Sequence, residues 1–179
     1  TMAFDREVPL LPVFVWFYIL AFPFWAVGYL LAARRGKDMF YRFVATDLTI
    51  HFICFICFIL IPTTNIRPEI PGNTLSEKIL ALVYSLDGGN SPSNLFPSIH
   101  CYVSWMCWKG VEGSEKVPKW YQRFSLVFAI LIIISTQVLK QHYIVDAAAA
   151  LLLVEFFWRS YQKGQRHKWV VHVFAHKKK

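Results

Sequence analysis

The feature that most constrains this fold is a long apolar run near the start of the sequence that contains no charged side chain. It covers residues 12–33, and an α-helix of about 20 apolar residues is long enough to cross the hydrocarbon core of a bilayer. Hydrophobic residues make up 56% of the 179-residue chain, which is more apolar surface than a soluble domain of this length can readily remove from water. The sequence therefore predicts an integral membrane protein.

Four further apolar segments follow, at residues of about 39–62, 97–108, 120–139 and 143–161. The polar stretch 63–96 is rich in Pro, Gly, Asn and Ser, and it predicts a long loop with a short amphipathic helix at about 75–86. The fold class that follows is all-α: a polytopic transmembrane helix bundle with five membrane helices in this chain. We expect residues 1–162 to form a membrane-embedded domain and residues 163–179 to form a basic cytoplasmic tail.

The charges predict how the bundle is oriented. The formal net charge is +8, and the basic residues lie in clusters at 34–42, 109–123 and 163–179. Such clusters between apolar segments suit anionic lipid headgroups, whereas nucleic acid binding needs basic residues gathered on one solvated face. If five helices alternate in direction, all three clusters lie on one side, which the positive-inside rule assigns to the cytoplasm. The N-terminus, the loop 63–96 and the turn near Lys140 then lie on the external face of the cell membrane.

The cysteines do not predict a redox or metal site. Cys54 and Cys57 have the spacing of such sites, but they lie inside an apolar segment and no second ligand pair at zinc-site spacing accompanies them. Free cysteine packs as a small hydrophobic residue, so we expect buried, inert thiols.

The first chemical motif is Pro97-Ser98-Ile99-His100, at the start of the third segment. Proline suits the first turn of a helix, and the unpaired N–H groups of that turn attract an anion such as phosphate. The Ser98 hydroxyl can add a hydrogen bond, and a protonated His100 can donate a proton to a leaving oxygen. The alternative is a histidine that merely lies at the membrane interface at a helix start.

The second motif is His142 with Asp146, which lie four residues apart and hence on one helix face. A carboxylate that holds one imidazole nitrogen leaves the other as a nucleophile. Lys140 can offset phosphate charge, and Arg67, followed by Pro68, can bind phosphate oxygens in a fork. The alternatives are an interfacial His–Asp pair, a lysine that snorkels to the interface and a solvated loop arginine. The topology puts all these residues on the external side.

On these residues the sequence resembles the type-2 phosphatidic acid phosphatase superfamily, whose motifs are a Lys followed by Arg-Pro, then Pro-Ser-Gly-His, then Ser-Arg with a downstream His and Asp. Ile99 stands where Gly is usual, Thr136 replaces the usual Arg, and Leu60 stands where the Lys would be. The resemblance covers about residues 5–161. It implies an all-helical bundle that usually has six membrane helices, so the first would be absent from this chain.

The resemblance also implies a function, which is hydrolysis of a lipid phosphate monoester or pyrophosphate without a metal ion or cofactor. The implied catalytic residues are His142, His100 and Asp146, and the implied phosphate-binding residues are Arg67, Ser98 and Lys140. His142 would form a phosphohistidine, Asp146 would orient it, and His100 would protonate the leaving oxygen and then activate water. Two alternatives remain open: a lipid phosphotransferase similar to inositol phosphorylceramide synthases, and a non-catalytic lipid-binding membrane protein.

Overall fold

A computed structural model describes residues 3–65, 67–89, 92–162 and 167–175. Within these ranges the chain is helical and contains one isolated β-bridge, between Thr64 and Ser93. The helices are α1 (Ala3–Glu7), α2 (Val15–Ala33, after a single 3₁₀ turn at Pro12–Phe14), α3 (Lys37–Leu60), α4 (Leu75–Leu86), α5 (Ile99–Val111), α6 (Lys119–Val138), α7 (Ile144–Gln162) and α8 (Trp169–Ala175). The predicted all-α class is confirmed.

Three of the five predicted membrane helices are long and apolar enough to cross a bilayer, by length and composition, among the described residues. They are Pro12–Ala33, Lys37–Leu60 and Lys119–Val138. Helix α5 has 13 residues, and at 1.5 Å per residue it is too short to cross a hydrocarbon core of about 30 Å. Helix α7 is long enough but contains three charged residues, Asp146, Glu155 and Arg159. The structure therefore supports a helical membrane bundle with three such spans, and the count of five stays a prediction.

Helix α5 lies at the centre of the bundle, where it packs against α2, α3, α6 and α7. Most of its side chains are buried. At its contact with α2, a β-carbon added at Gly28 would lie 2.5 Å from the Cys107 sulfur, so only glycine lets the two helices approach this closely. Small residues at helix contacts serve the same purpose in other membrane bundles.

A polar cluster ties α2, α3 and α5 together. The Tyr29 hydroxyl donates a hydrogen bond to Asp47 at 2.7 Å, and His51 Nδ1 lies 3.5 Å from the same carboxylate. The Tyr102 hydroxyl in turn is hydrogen-bonded to the His51 ring. Ionisable residues at membrane depth face other polar groups, so this cluster has a sufficient explanation in holding helices together.

The predicted helix in the loop 63–96 is confirmed as α4. It begins at a capping box in which the Thr74 hydroxyl accepts from the Glu77 N–H, while the Glu77 carboxylate accepts from the Thr74 N–H. Its apolar face packs on the N-terminal end of α2 and on Leu139, which follows the end of α6. Burial raises the pKa of Tyr84 to about 12, so its hydroxyl stays protonated and donates to the Leu139 carbonyl at 2.7 Å.

The described part of the C-terminal segment contains helix α8, which packs on α3. The division into a membrane-embedded domain and a basic tail stays a prediction. Val170 is buried, and His167 Nε2 lies 2.9 Å from an Asp38 carboxylate oxygen. Residues 163–166 and 176–179 lie outside the described ranges. That this end of the chain is cytoplasmic stays a prediction.

Candidate active site

The start of α5 and the start of α7 meet at Ser98. The Ser98 hydroxyl accepts a hydrogen bond from the Cys101 N–H at 3.3 Å and so caps α5. The Ser98 N–H donates to the Asp146 carbonyl at 3.2 Å, and the Ser98 side chain is fully buried. Its hydroxyl oxygen is therefore engaged in capping α5, while its backbone N–H joins the two helix ends. The predicted contact of the hydroxyl with phosphate stays a prediction.

His142 is held by one hydrogen bond and lies close to a carboxylate. Its Nδ1 lies 3.0 Å from the Leu95 carbonyl oxygen and 3.6 Å from an Asp146 carboxylate oxygen. A carbonyl oxygen only accepts hydrogen bonds, so Nδ1 is the donor in this contact. Asp146 is fixed in turn because it accepts the Tyr143 N–H at 2.8 Å. In the neutral form of the ring, this arrangement leaves Nε2 as the nitrogen that can act as a nucleophile.

His100 lies close to His142, with 6.0 Å between the two ring centroids. The rest of its surroundings are aromatic: Tyr18 stacks on it at 4.4 Å and Trp25 lies at 5.2 Å, both measured between ring centroids. Its Nε2 is buried and has no hydrogen-bond partner among the described residues. Leaving a buried polar atom unpaired is costly, and a ligand bound between the two rings would remove that cost.

Arg67 is buried, with 3% of its surface exposed, so it is not the solvated loop charge considered as an alternative. Its Nη1 donates to the carbonyls of Tyr84, Asp87 and Gly89 at 3.3, 2.9 and 3.0 Å. Its Nη2 donates to the Asp87 carboxylate and to the Gln141 side-chain oxygen. These contacts anchor the C-terminal end of α4, where cations bind favourably. The Arg67 Nε has no partner among the described residues.

Lys140 reaches across to the N-terminal segment. Its ammonium donates to the Asp5 carbonyl at 2.9 Å and also to the Val8 carbonyl. Its backbone has a φ of 53°, a left-handed conformation that costs a residue with a β-carbon about 1 kcal/mol or more. The amide of Asn65 donates to the Lys140 carbonyl at 2.7 Å and so helps to hold this conformation.

A cavity of about 330 Å³ brings most of these groups together, and its polar lining is formed by Asp5, Arg6, Asn65, Arg67, Gln137, Lys140, His142 and Tyr143. Two of the predicted phosphate-binding residues thus share the cavity with His142. His100 and Asp146 contact His142 from outside the lining. Ser98 joins the cluster through its backbone bond to Asp146.

Sequence reasoning missed Asp5, Arg6 and Asn65, which line the cavity from segments without a motif. It also missed Gln141, which accepts a hydrogen bond from Arg67. Its position next to His142 in the sequence could have indicated that it lies at the site. Neither of the two positions at which a family cation is absent provides a charge. Leu60 is an exposed apolar residue, and Thr136 is buried with its hydroxyl donated to the Ile133 carbonyl. No group of three or more metal-ligating side chains is found within the described residues.

Comparison with known proteins gives one match. No curated protein and no solved structure matches the chain significantly. A family model described as the PAP2 superfamily matches residues 2–158. Because the matched stretch is most of the chain and contains every residue of the cluster around His142, this protein belongs to the PAP2 superfamily.

Proposed function

We propose that this chain is a membrane lipid phosphatase, which hydrolyses a phosphate monoester or pyrophosphate lipid through a phosphohistidine intermediate. Membership of the PAP2 superfamily supports phosphatase-type chemistry in general. The observation that carries the proposal is His142, whose Nδ1 is engaged by the Leu95 carbonyl and lies near Asp146 while the ring lines a cavity with cationic side chains.

In the first step, His142 Nε2 attacks phosphorus and the bond from phosphorus to the leaving oxygen breaks. The imidazole thereby becomes a cation, and the nearby Asp146 carboxylate stabilises that charge. The Nη atoms of Arg67 already donate hydrogen bonds to oxygen atoms of the chain. Its Nε–H can therefore donate to a phosphoryl oxygen. The Lys140 ammonium adds positive charge at the same cavity.

His100 first donates a proton to the leaving oxygen and then accepts one from water. A phosphate between the two rings supplies the hydrogen-bond partner that His100 Nε2 lacks. Burial and the neighbouring His142 lower the pKa of His100, and the negative charge of the bound phosphate favours its protonated form. In that form His100 donates its proton to the leaving alcohol or phosphate oxygen. Once neutral, it accepts a proton from water, which attacks phosphorus and breaks the bond to His142 Nε2. Phosphate is released and both histidines return to their starting states.

An apolar groove beside the site supports a lipid substrate. It has a volume of about 440 Å³ and lies between α3 and α7, with a lining that includes Ile53, Cys57, Phe96, Leu153 and Phe156. A neighbouring cleft shares Phe96 and extends to Tyr143 and Asp146. An acyl or polyprenyl chain in this groove would keep its phosphate near His142. We further propose that the protein lies in the cell membrane with this site on the external face, as the basic clusters suggest.

The test is phosphate release by the full chain in detergent or lipid from phosphatidate, phosphatidylglycerophosphate and a polyprenyl pyrophosphate. We expect release from at least one of them, none from the His142→Ala variant, and little from a water-soluble glycerol phosphate. A chain that releases phosphate from no lipid, or a His142→Ala variant with normal release, contradicts the proposal. Recovery of radioactive phosphate on an added lipid alcohol instead of in water would identify a phosphotransferase.

A further inference from the structure

The N-terminal segment forms one wall of the cavity and is fixed there on both sides of Arg6. On one side, the Asp5 carboxylate accepts the N–H of Ile144 at the start of α7, at 3.0 Å. The Asp5 carbonyl and, on the other side, the Val8 carbonyl accept hydrogen bonds from the Lys140 ammonium. The backbone at Arg6 is thus tied to the same turn that carries His142.

The Arg6 side chain lines the cavity. Across the part of the chain that the structure describes, no hydrogen bond or ion pair engages its guanidinium, and the side chain is exposed. The other two lining cations are occupied: the Nη atoms of Arg67 bind chain oxygens, and Lys140 binds two carbonyls. The Arg67 charge is also offset by its ion pair with Asp87. The donors of Arg6 are therefore the ones most available to an incoming anion.

We propose that Arg6 binds the phosphoryl oxygens of the substrate and so determines the affinity of this site for phosphate groups. The inference rests on the proposed lipid phosphatase function and adds a residue to it. A guanidinium presents two parallel N–H groups that match two phosphate oxygens. The buried Arg67 is already paired with Asp87. The exposed Arg6 guanidinium therefore attracts phosphate oxygens in a way that neither Arg67 nor Lys140 does alone.

The first arm of the test is kinetic and uses the full chain in detergent micelles with a lipid phosphate that it hydrolyses. We expect Arg6→Gln to raise KM about tenfold, the size expected for loss of a charged hydrogen bond. The kcat should change little, because an interaction made equally with substrate and transition state affects KM alone. Arg6→Lys should restore part of the affinity. The matched control is Arg34→Gln, which removes an exposed arginine at the opposite end of α2 and should leave KM unchanged.

The second arm measures binding of orthovanadate to the same variants by calorimetry and does not depend on turnover. Arg6→Gln should weaken vanadate binding about tenfold, and Arg34→Gln should not. Equal vanadate affinity in Arg6→Gln and the unmodified chain overturns the inference, as does an equal loss in Arg6→Gln and Arg34→Gln or the absence of binding to the unmodified chain. Failure to release phosphate from any lipid contradicts the proposed function instead, and the vanadate arm still decides on Arg6.

Discussion

At His142, the proposed mechanism divides two tasks between the ring nitrogens. Nδ1 is held by the Leu95 carbonyl at 3.0 Å and lies 3.6 Å from Asp146, whereas Nε2 is the atom proposed to attack phosphorus. Asp146 also accepts the Tyr143 N–H at the start of α7. Its carboxylate therefore has two roles: its negative charge acts on His142, and its oxygen accepts a hydrogen bond at the start of the helix. A substitution that keeps the oxygen but removes the charge separates these roles.

The first prediction concerns that separation. His142→Ala should abolish phosphate release, because no nucleophile remains. Asp146→Asn keeps an oxygen that can accept the Tyr143 N–H but loses the negative charge, so we expect turnover to fall by about 100-fold or more while the melting temperature changes little. Rates and melting curves of the purified variants in one detergent provide the measurement. Near-normal turnover by Asp146→Asn would show that its charge plays no part.

The second prediction assigns His100 to proton transfer. With an aryl phosphate, whose leaving group needs little protonation, His100→Ala should still phosphorylate His142 but hydrolyse the intermediate slowly, because water activation is lost. Quenched single-turnover labelling with radioactive phosphate should then show an accumulated phosphohistidine that is absent from His142→Ala. Label on His100 in the unmodified chain would reverse the assignment.

At the scale of single residues, the sequence predicts contacts between residues that are close together in the chain. His142 and Asp146 lie four residues apart, and their proximity follows from helix geometry. The contact between Lys140 and the Asp5 carbonyl joins residues 135 positions apart, so no spacing rule predicts it. The same is true of the ion pair between Arg67 and Asp87, through which an expected phosphate ligand also anchors α4.

Among the helix contacts, the one between α2 and α5 leaves the least space for a larger side chain at a glycine position. Gly28 and Cys107 meet there without space for another carbon atom. Because α5 carries Ser98 and His100 at its start, a shift of this helix would also move the site.

The third prediction is that Gly28→Ala lowers the stability of the bundle. The added β-carbon would lie 2.5 Å from the Cys107 sulfur and 2.7 Å from its β-carbon, and overpacking of this kind costs about 1–3 kcal/mol. The higher helix propensity of alanine offsets up to about 1 kcal/mol of that cost. We expect a lower melting temperature in detergent, partly restored by a second substitution, Cys107→Gly. As a control, Leu30→Ala at an exposed position of α2 should change the melting temperature less.

Apolar runs predict where the long helices lie, because an uncharged segment of that length has few other stable conformations in a membrane. They also predict that the third segment, 97–108, is short. They do not predict that α5 lies inside the bundle, since a buried helix and a membrane-spanning helix have similar compositions. Nor do they predict α8, whose packing on α3 depends on contacts such as that of His167 with Asp38.

For the whole molecule, the basic clusters predict the orientation in the membrane. The fourth prediction is that residues near Glu7 are external and that the connection between α5 and α6 is cytoplasmic. The reason is the basic cluster at 109–123, which lies in and beside this connection. Cysteines introduced at the exposed residues Glu7 and Glu115 provide the test. A membrane-impermeant maleimide should label Glu7→Cys in intact cells and Glu115→Cys only after permeabilisation, with the unmodified chain as background. Labelling of both in intact cells contradicts this orientation.

The bonds from Lys140 to the carbonyls of Asp5 and Val8 have a practical consequence for anyone who prepares this protein. Residues 5–8 are part of the cavity wall, so a deletion within them, or an affinity tag inserted directly beside them, alters the pocket itself. Purification handles therefore belong away from this segment. A protease cut within residues 5–8 should be treated as a change to the cavity when preparations are compared.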